Sequence, residues 1–82
     1  MNKYMKELQE LKPWDQVQVI KPIGRGYNKI DTAGHGYLVV PKNDVYFSVA
    51  NAIGGFKGKQ AAYLEEDCEY GQFIKNVKEL ES

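Results

Sequence analysis

The chain has 82 residues, 43% of them hydrophobic and ten of them aromatic, with eleven Lys or Arg balanced by eleven Asp or Glu for a formal net charge of zero. A chain of this length folds as one domain, 1–82, and buries only roughly 60% of its unfolded surface; its apolar content is too high for a disordered segment. Neutrality argues against a general DNA binder, which would be basic overall, and against a whole-surface DNA mimic, which would be strongly acidic, so no direct contact with nucleic acid is expected.

There is no room for a core, a cofactor cleft and a lid together, and no cofactor is expected. The single cysteine, Cys68, cannot form an internal disulfide. The charged start Met1–Glu7 lacks the apolar run of a signal peptide. The longest apolar run, Tyr37–Pro41, is far short of a membrane span. These features predict a cytoplasmic protein with no membrane partner.

In chain order, Asn2 predicts a helix cap, followed by Tyr4, Met5, Leu8 and Leu11 at helical spacing. Pro13 stops that helix. Val17 and Val19 then alternate with polar residues over Gln16–Lys21, the pattern of a half-buried strand, and Pro22, Gly24 and Gly26 punctuate its end. A weaker strand follows over Tyr27–Thr32. Ala33-Gly34-His35-Gly36 reads as a tight turn whose glycines supply positive φ. Tyr37–Val40 is apolar throughout, which predicts a central strand.

Asn43 or Asp44 caps the next predicted helix, with Val45, Val49, Ala52 and Ile53 as its buried stripe, Tyr46 and Ala50 assisting, and Gly54-Gly55 as its stop. Phe56–Gln60 reads as a lysine-rich loop, and Ala61–Leu64 as an optional short strand. A last helix is predicted from about Glu66 to Glu79, with Tyr70, Phe73, Ile74, Val77 and Leu80 inward. Gly71 inside it costs about 1 kcal/mol against Ala, which suggests a close neighbour. The predicted order is α-β-β-β-α-(β)-α. It corresponds to an α+β fold in which a three-stranded antiparallel meander, with the optional fourth strand, carries helices packed on one side.

The charges are segregated. Residues 21–59 carry six cations against two acids, a net of +4, and residues 60–82 carry six acids against two lysines, a net of −4. The acids Glu65, Glu66, Asp67 and Glu69 surround Cys68. The first three suit the first turn of a helix, whose exposed amides favour negative charge. Clustered carboxylates also fit a lysine- or arginine-rich partner. Their spacing matches no EF-hand loop, and no metal is expected. Four carboxylates disfavour a thiolate at Cys68, so a Cys68–His35 nucleophile pair is not favoured and Cys68 reads as a small buried hydrophobe. His35, between two glycines, reads either as a turn residue or as a group bonded to Glu66 or Asp67 across the fold. Gly54–Gln60 fails as a phosphate-binding loop, because its glycine spacing is one residue short and Gln60 stands where Ser or Thr is needed. Trp14, Tyr27, Tyr37 and Tyr63 read as core aromatics.

Asp31-Thr32-Ala33-Gly34-His35-Gly36-Tyr37 and Tyr63-Leu64-Glu65-Glu66-Asp67-Cys68-Glu69-Tyr70, taken together with Trp14, resemble a family of small domains of unknown function from bacteriophage, plasmid and other mobile-element proteins. The likeness covers about residues 14–75. Leu64, Tyr70 and Gly71 depart from the family pattern. The resemblance implies a fold and a genomic setting rather than an activity. By analogy with small phage proteins that inhibit host defence, anti-CRISPR proteins among them, the expected function is a non-enzymatic inhibitor. It would cover a nucleic-acid-contacting site on a host protein or nucleoprotein such as a CRISPR effector, with Glu65, Glu66, Asp67, Glu69 and His35 as partner-binding residues. The alternative is a small ligand-binding or catalytic module built from His35 and the Glu65–Glu69 segment. A homodimer is the third option.

Overall fold

A computed structural model describes residues 2–82. Its elements are α1 (Lys3–Leu11), β1 (Val17–Gly24), β2 (Tyr27–Thr32), β3 (Gly36–Pro41), α2 (Phe47–Ile53), β4 (Phe56–Lys57), β5 (Ala61–Glu65) and α3 (Glu69–Glu81). The α+β class and the meander β1-β2-β3 are as expected. The sheet, however, has five antiparallel strands in the order β1-β2-β3-β5-β4. Ala61–Leu64 is therefore an interior strand, and the predicted loop contributes the two-residue edge strand β4.

The helices divide between the two faces of the sheet, where all had been expected on one side. Tyr37, Val39, Ala61 and Tyr63 point to α1 and pack with Leu8, Val17 and Ile30. Their strand neighbours Leu38, Val40, Ala62 and Leu64 point the other way, to Ala50 of α2 and Phe73 and Val77 of α3. Successive side chains of a strand alternate between faces, so a strand buried on both sides must be apolar at every position. Gly36–Val40 and Ala61–Leu64 meet that condition, and all nine residues are buried.

Asn2 caps α1 as expected, its Oδ1 accepting from the Tyr4 amide at 2.7 Å. Irregular pairing of β1 with β2 at Val17/Val19 breaks the alternation, so Val17 is buried while Val19 is exposed. The turn into β2 places Arg25 and Gly26 at φ 55° and 79°, the positive values of a primed hairpin turn. Arg25 also pairs with Glu81 at the end of α3.

α2 is shorter than predicted and begins at Phe47. Asp44 still serves its start, its Oδ2 accepting from the Tyr46 amide at 2.9 Å and the Tyr27 hydroxyl at 2.8 Å. Val45 therefore lies outside the helix and is 82% exposed, and Ala52 is also exposed. α3 begins at Glu69 rather than Glu66, because the Glu66 amide still bonds the Gly36 carbonyl at 2.9 Å and Glu66–Cys68 form a turn before the helix. Leu80, at its far end, is exposed.

Two glycines of this frame respond oppositely to a methyl group. Gly55 has φ +79°, and an added Cβ would sit 2.5 Å from the Tyr63 carbonyl oxygen, which cannot move without disturbing β5. Gly71 has open space around its Cβ position, contrary to the close neighbour expected from sequence. Gly55→Ala is expected to destabilise the fold by about 2 kcal/mol or more. Gly71→Ala should stabilise it by about 0.5–1 kcal/mol. Urea unfolding of the two variants checks the opposite signs.

Candidate functional site

The turn at residues 33–35 and the start of β3 lie beside the end of β5, because β3 pairs with β5 in the register Tyr37↔Glu65. That register brings the imidazole of His35 to the carboxylates of Glu65 and Asp67. One ligand-type atom from each of the three lies within 4.8 Å of the others. His35 and Asp67 are exposed and Glu65 is half-buried. The His35 ring also stands edge-on to Tyr37, with centroids 6.2 Å apart. A shallow depression bounded by Thr32, Gly34, His35, Glu66 and Asp67 continues from this cluster.

The other two predicted acids are engaged within the fold. Glu66 accepts from Lys29 at 2.9 Å, and Lys29 also lies 3.4 Å from Asp31, which pairs with Lys21 at 3.0 Å. The Glu66 bond, with Asp31 adding to it, raises the Lys29 ammonium. The bond from Lys21, and then that from Lys29, holds the Asp31 carboxyl below the usual carboxylate range. Glu69 turns back so that its Oε1 accepts from the Glu65 amide at 2.9 Å. It is the one acid in the first turn of α3, and the expected capping by Glu65, Glu66 and Asp67 is not found. Cys68 precedes the helix and is exposed, not buried.

The glycines beside His35 do not act through positive φ, which occurs at Gly24, Gly26, Gly54 and Gly55. Gly36 instead leaves room for side chains that cross the strand. A Cβ there would lie 2.6 Å from Glu66 Oε2 and 2.7 Å from Lys29 Cε, so the ion pair crosses the strand where a side chain would stand.

The turn itself is held by a buried polar network that sequence reasoning missed. Lys12, Asp15 and Thr32 are all buried. Asp15 accepts from the Thr32 hydroxyl at 2.7 Å and the Gly34 amide at 3.2 Å, and lies 3.5 Å from Lys12. Thr32 Oγ1 in turn accepts from the His35 amide at 2.9 Å, and the Thr32 amide donates to the His35 carbonyl at 2.8 Å. Lys12 reaches the Tyr37 hydroxyl and lies over the rings of Tyr37 and Phe56, 4.7 and 5.1 Å from their centroids. Trp14, expected in the core, is 73% exposed and offers its ring to Lys12 from outside, at 5.9 Å.

Lys12 was legible in one respect: it continues the four-residue step Tyr4, Leu8 along the inner face of α1. Burial works to lower the Lys12 ammonium, but Tyr37 and Asp15 outweigh it and the net shift is upward. The Thr32 hydroxyl bond, against burial and with help from Gly34 and Lys12, holds the Asp15 carboxyl below its usual range.

This arrangement fixes the backbone of His35 while leaving its ring and two carboxylates open to a ligand. The nitrogen and two oxygens could take a divalent cation or a cationic side chain. Comparisons with models of protein families, with curated proteins and with solved structures give no match.

Thr32→Val removes a hydroxyl that both donates to Asp15 and accepts from His35, and is expected to cost about 1–3 kcal/mol. Asp15, Asp31 and Glu81 all have folded values below their ordinary ones, Glu81 through its bond to Arg25. Each stabilises the fold fully above its unfolded value, about pH 4, and loses that contribution as pH falls through its folded value. Asp15→Asn should therefore flatten the acid limb of the stability–pH curve. A limb as steep as in the original chain would show that Asp15 contributes nothing to it.

Proposed function

We propose that this chain is a small non-enzymatic binding protein of a phage or other mobile element that acts in the host cytoplasm. It covers a nucleic-acid-contacting surface on a larger host protein, with CRISPR effectors as the first class to test. The observation that carries this reading is the convergence of His35, Glu65 and Asp67 at one end of the sheet, on a turn braced from beneath by Asp15 and Thr32. Basic residues that grip phosphates also accept carboxylates through charge-assisted hydrogen bonds. A braced mount reduces the ordering cost of making such bonds. The resemblance of the two motif segments supports the mobile-element setting. Within the acidic segment, Glu65 and Asp67 are the contact residues and Glu66 borders them, while Glu69 holds the turn.

The test is a target-binding assay for a panel of CRISPR effectors with and without the protein. The original chain should reduce DNA loading by at least one effector, less so as salt is raised. Glu65→Lys combined with Asp67→Lys should weaken inhibition at least tenfold, about 1.4 kcal/mol. Full inhibition by the folded double variant rejects this surface, and no inhibition of any effector by the original chain rejects the function.

A second reading, a small ligand-binding module, is favoured by the same three donors lying within 4.8 Å. Ligand bonds to zinc are about 2.0–2.2 Å, so the two carboxylates would draw inward around a cation. Titration calorimetry with Zn²⁺ and Mn²⁺ should then show binding that His35→Ala abolishes. Identical heats from the two proteins reject this reading.

A further inference from the structure

Of the eleven Lys and Arg residues, Lys12, Lys21, Arg25 and Lys29 each face a carboxylate. Lys3, Lys6, Lys42, Lys57 and Lys59 have no ion pair among the described residues, and all five line one groove between α1 and the turn joining β4 to β5. Lys3 and Lys6 stand one turn apart on α1, a spacing that leaves about 5–6 Å between Cβ atoms. Lys57 and Lys59 flank Gly58, and Lys42 follows the end of β3.

The groove also contains Glu7 and Glu10, but the Glu7 carboxylate is already engaged. It accepts from the Lys59 amide at 2.6 Å, the Gln60 amide at 3.1 Å and the Tyr63 hydroxyl at 2.7 Å. These bonds tie the 58–60 turn to α1, and Gly58 is packed so closely on Glu7 that a side chain there would displace the carboxylate. The Lys42 amide donates to the Gln60 carbonyl at 3.1 Å, which joins the third wall to the other two. The lysine backbones are therefore braced, and the five ammonium groups outnumber the two carboxylates that line the groove.

The chemistry of the lining selects the occupant. Leu11 is the one apolar residue among those that line the groove, so it lacks the aromatic or aliphatic anchor on which protein partners depend. No arginine is present for bidentate recognition of carboxylates, and no lining ring is available to stack on bases. Lysine ammonium groups suit phosphate oxygens as point charges. We propose that this groove binds the phosphate backbone of a nucleic acid without reading its sequence. This departs from the expectation drawn from the neutral total charge, which averages over two patches that lie apart. The acidic patch lies at the far end of β5, four residues from Ala61, or about 13 Å along the strand. That exceeds the screening length of about 10 Å at 0.1 M salt. The proposal does not rest on the function assigned to His35 and its neighbours.

The test is fluorescence anisotropy of the full chain with labelled oligothymidylate and with a mixed-sequence duplex over a salt series. Binding should weaken linearly on a log–log plot, with a slope of about −0.7 per phosphate neutralised on the single strand and about −0.9 on the duplex. Lys57→Gln with Lys59→Gln should reduce the single-strand slope by about 1.4. Lys75→Gln with Lys78→Gln removes the same charge from α3 and should leave both slopes unchanged. Equal losses in the two double variants, or no binding by the original chain, overturn the assignment. Polyglutamate binding as tightly as the oligonucleotide also overturns it, and assigns the groove to an acidic protein instead.

Discussion

Two neighbouring strands, β3 and β5, have no face turned to water, and the placement of the other elements follows from this. One face of the pair needs α1 and the other needs α2 and α3, because the alternate residues of both strands are apolar in each direction. With both faces of this pair covered, its own polar surroundings are at the strand ends. The His35 cluster lies where β3 begins and β5 ends, and the lysine groove lies where β3 ends and β5 begins. The basic and acidic segments of the sequence meet through Lys29–Glu66 and Arg25–Glu81, while Lys42, Lys57 and Lys59 join Lys3 and Lys6 at the groove.

Each end is braced by a carboxylate whose partners include backbone amides. Asp15 takes the Gly34 amide and the Thr32 hydroxyl, and Glu7 takes the Lys59 and Gln60 amides and the Tyr63 hydroxyl. A carboxylate with several donors aimed at it is costly to leave unsatisfied, so each brace resists local opening. The Tyr63 hydroxyl is correspondingly hard to ionise, first through burial and then through its bond to Glu7. Small loops that would otherwise be mobile are fixed where their side chains are presented.

Much of the frame was legible in the sequence. The cap at Asn2, the apolar series of α1, the strand Tyr37–Val40 and the stop at Gly54-Gly55 all rest on local patterns that the fold preserves. The sequence offered a bond from His35 to Glu66 or Asp67 as an alternative; the β3–β5 register brings its ring within 4.8 Å of Glu65 and Asp67, while Glu66 turns to Lys29. What was not legible depends on contacts distant in sequence. The division of the helices between two faces was implied by the unbroken apolar runs of β3 and β5, but no single run says which helix covers which face. Asp15 carries no local sign of burial and Lys12 only its place in the helical step; their partners Thr32 and Tyr37 are 17 and 25 residues away. The start of α3 was misplaced because the bond from the Glu66 amide to the Gly36 carbonyl, followed by a turn, overrides the preference of acids for a helix terminus.

Gly36 is buried in the sheet with an ion pair lying across the place where its side chain would be. Positions 29, 36 and 66 therefore share one space. An alanine at 36 would push the ends of the Lys29 and Glu66 side chains aside. The size of the residue at 36 thus bears on how β2 and the end of β5 are bridged across β3.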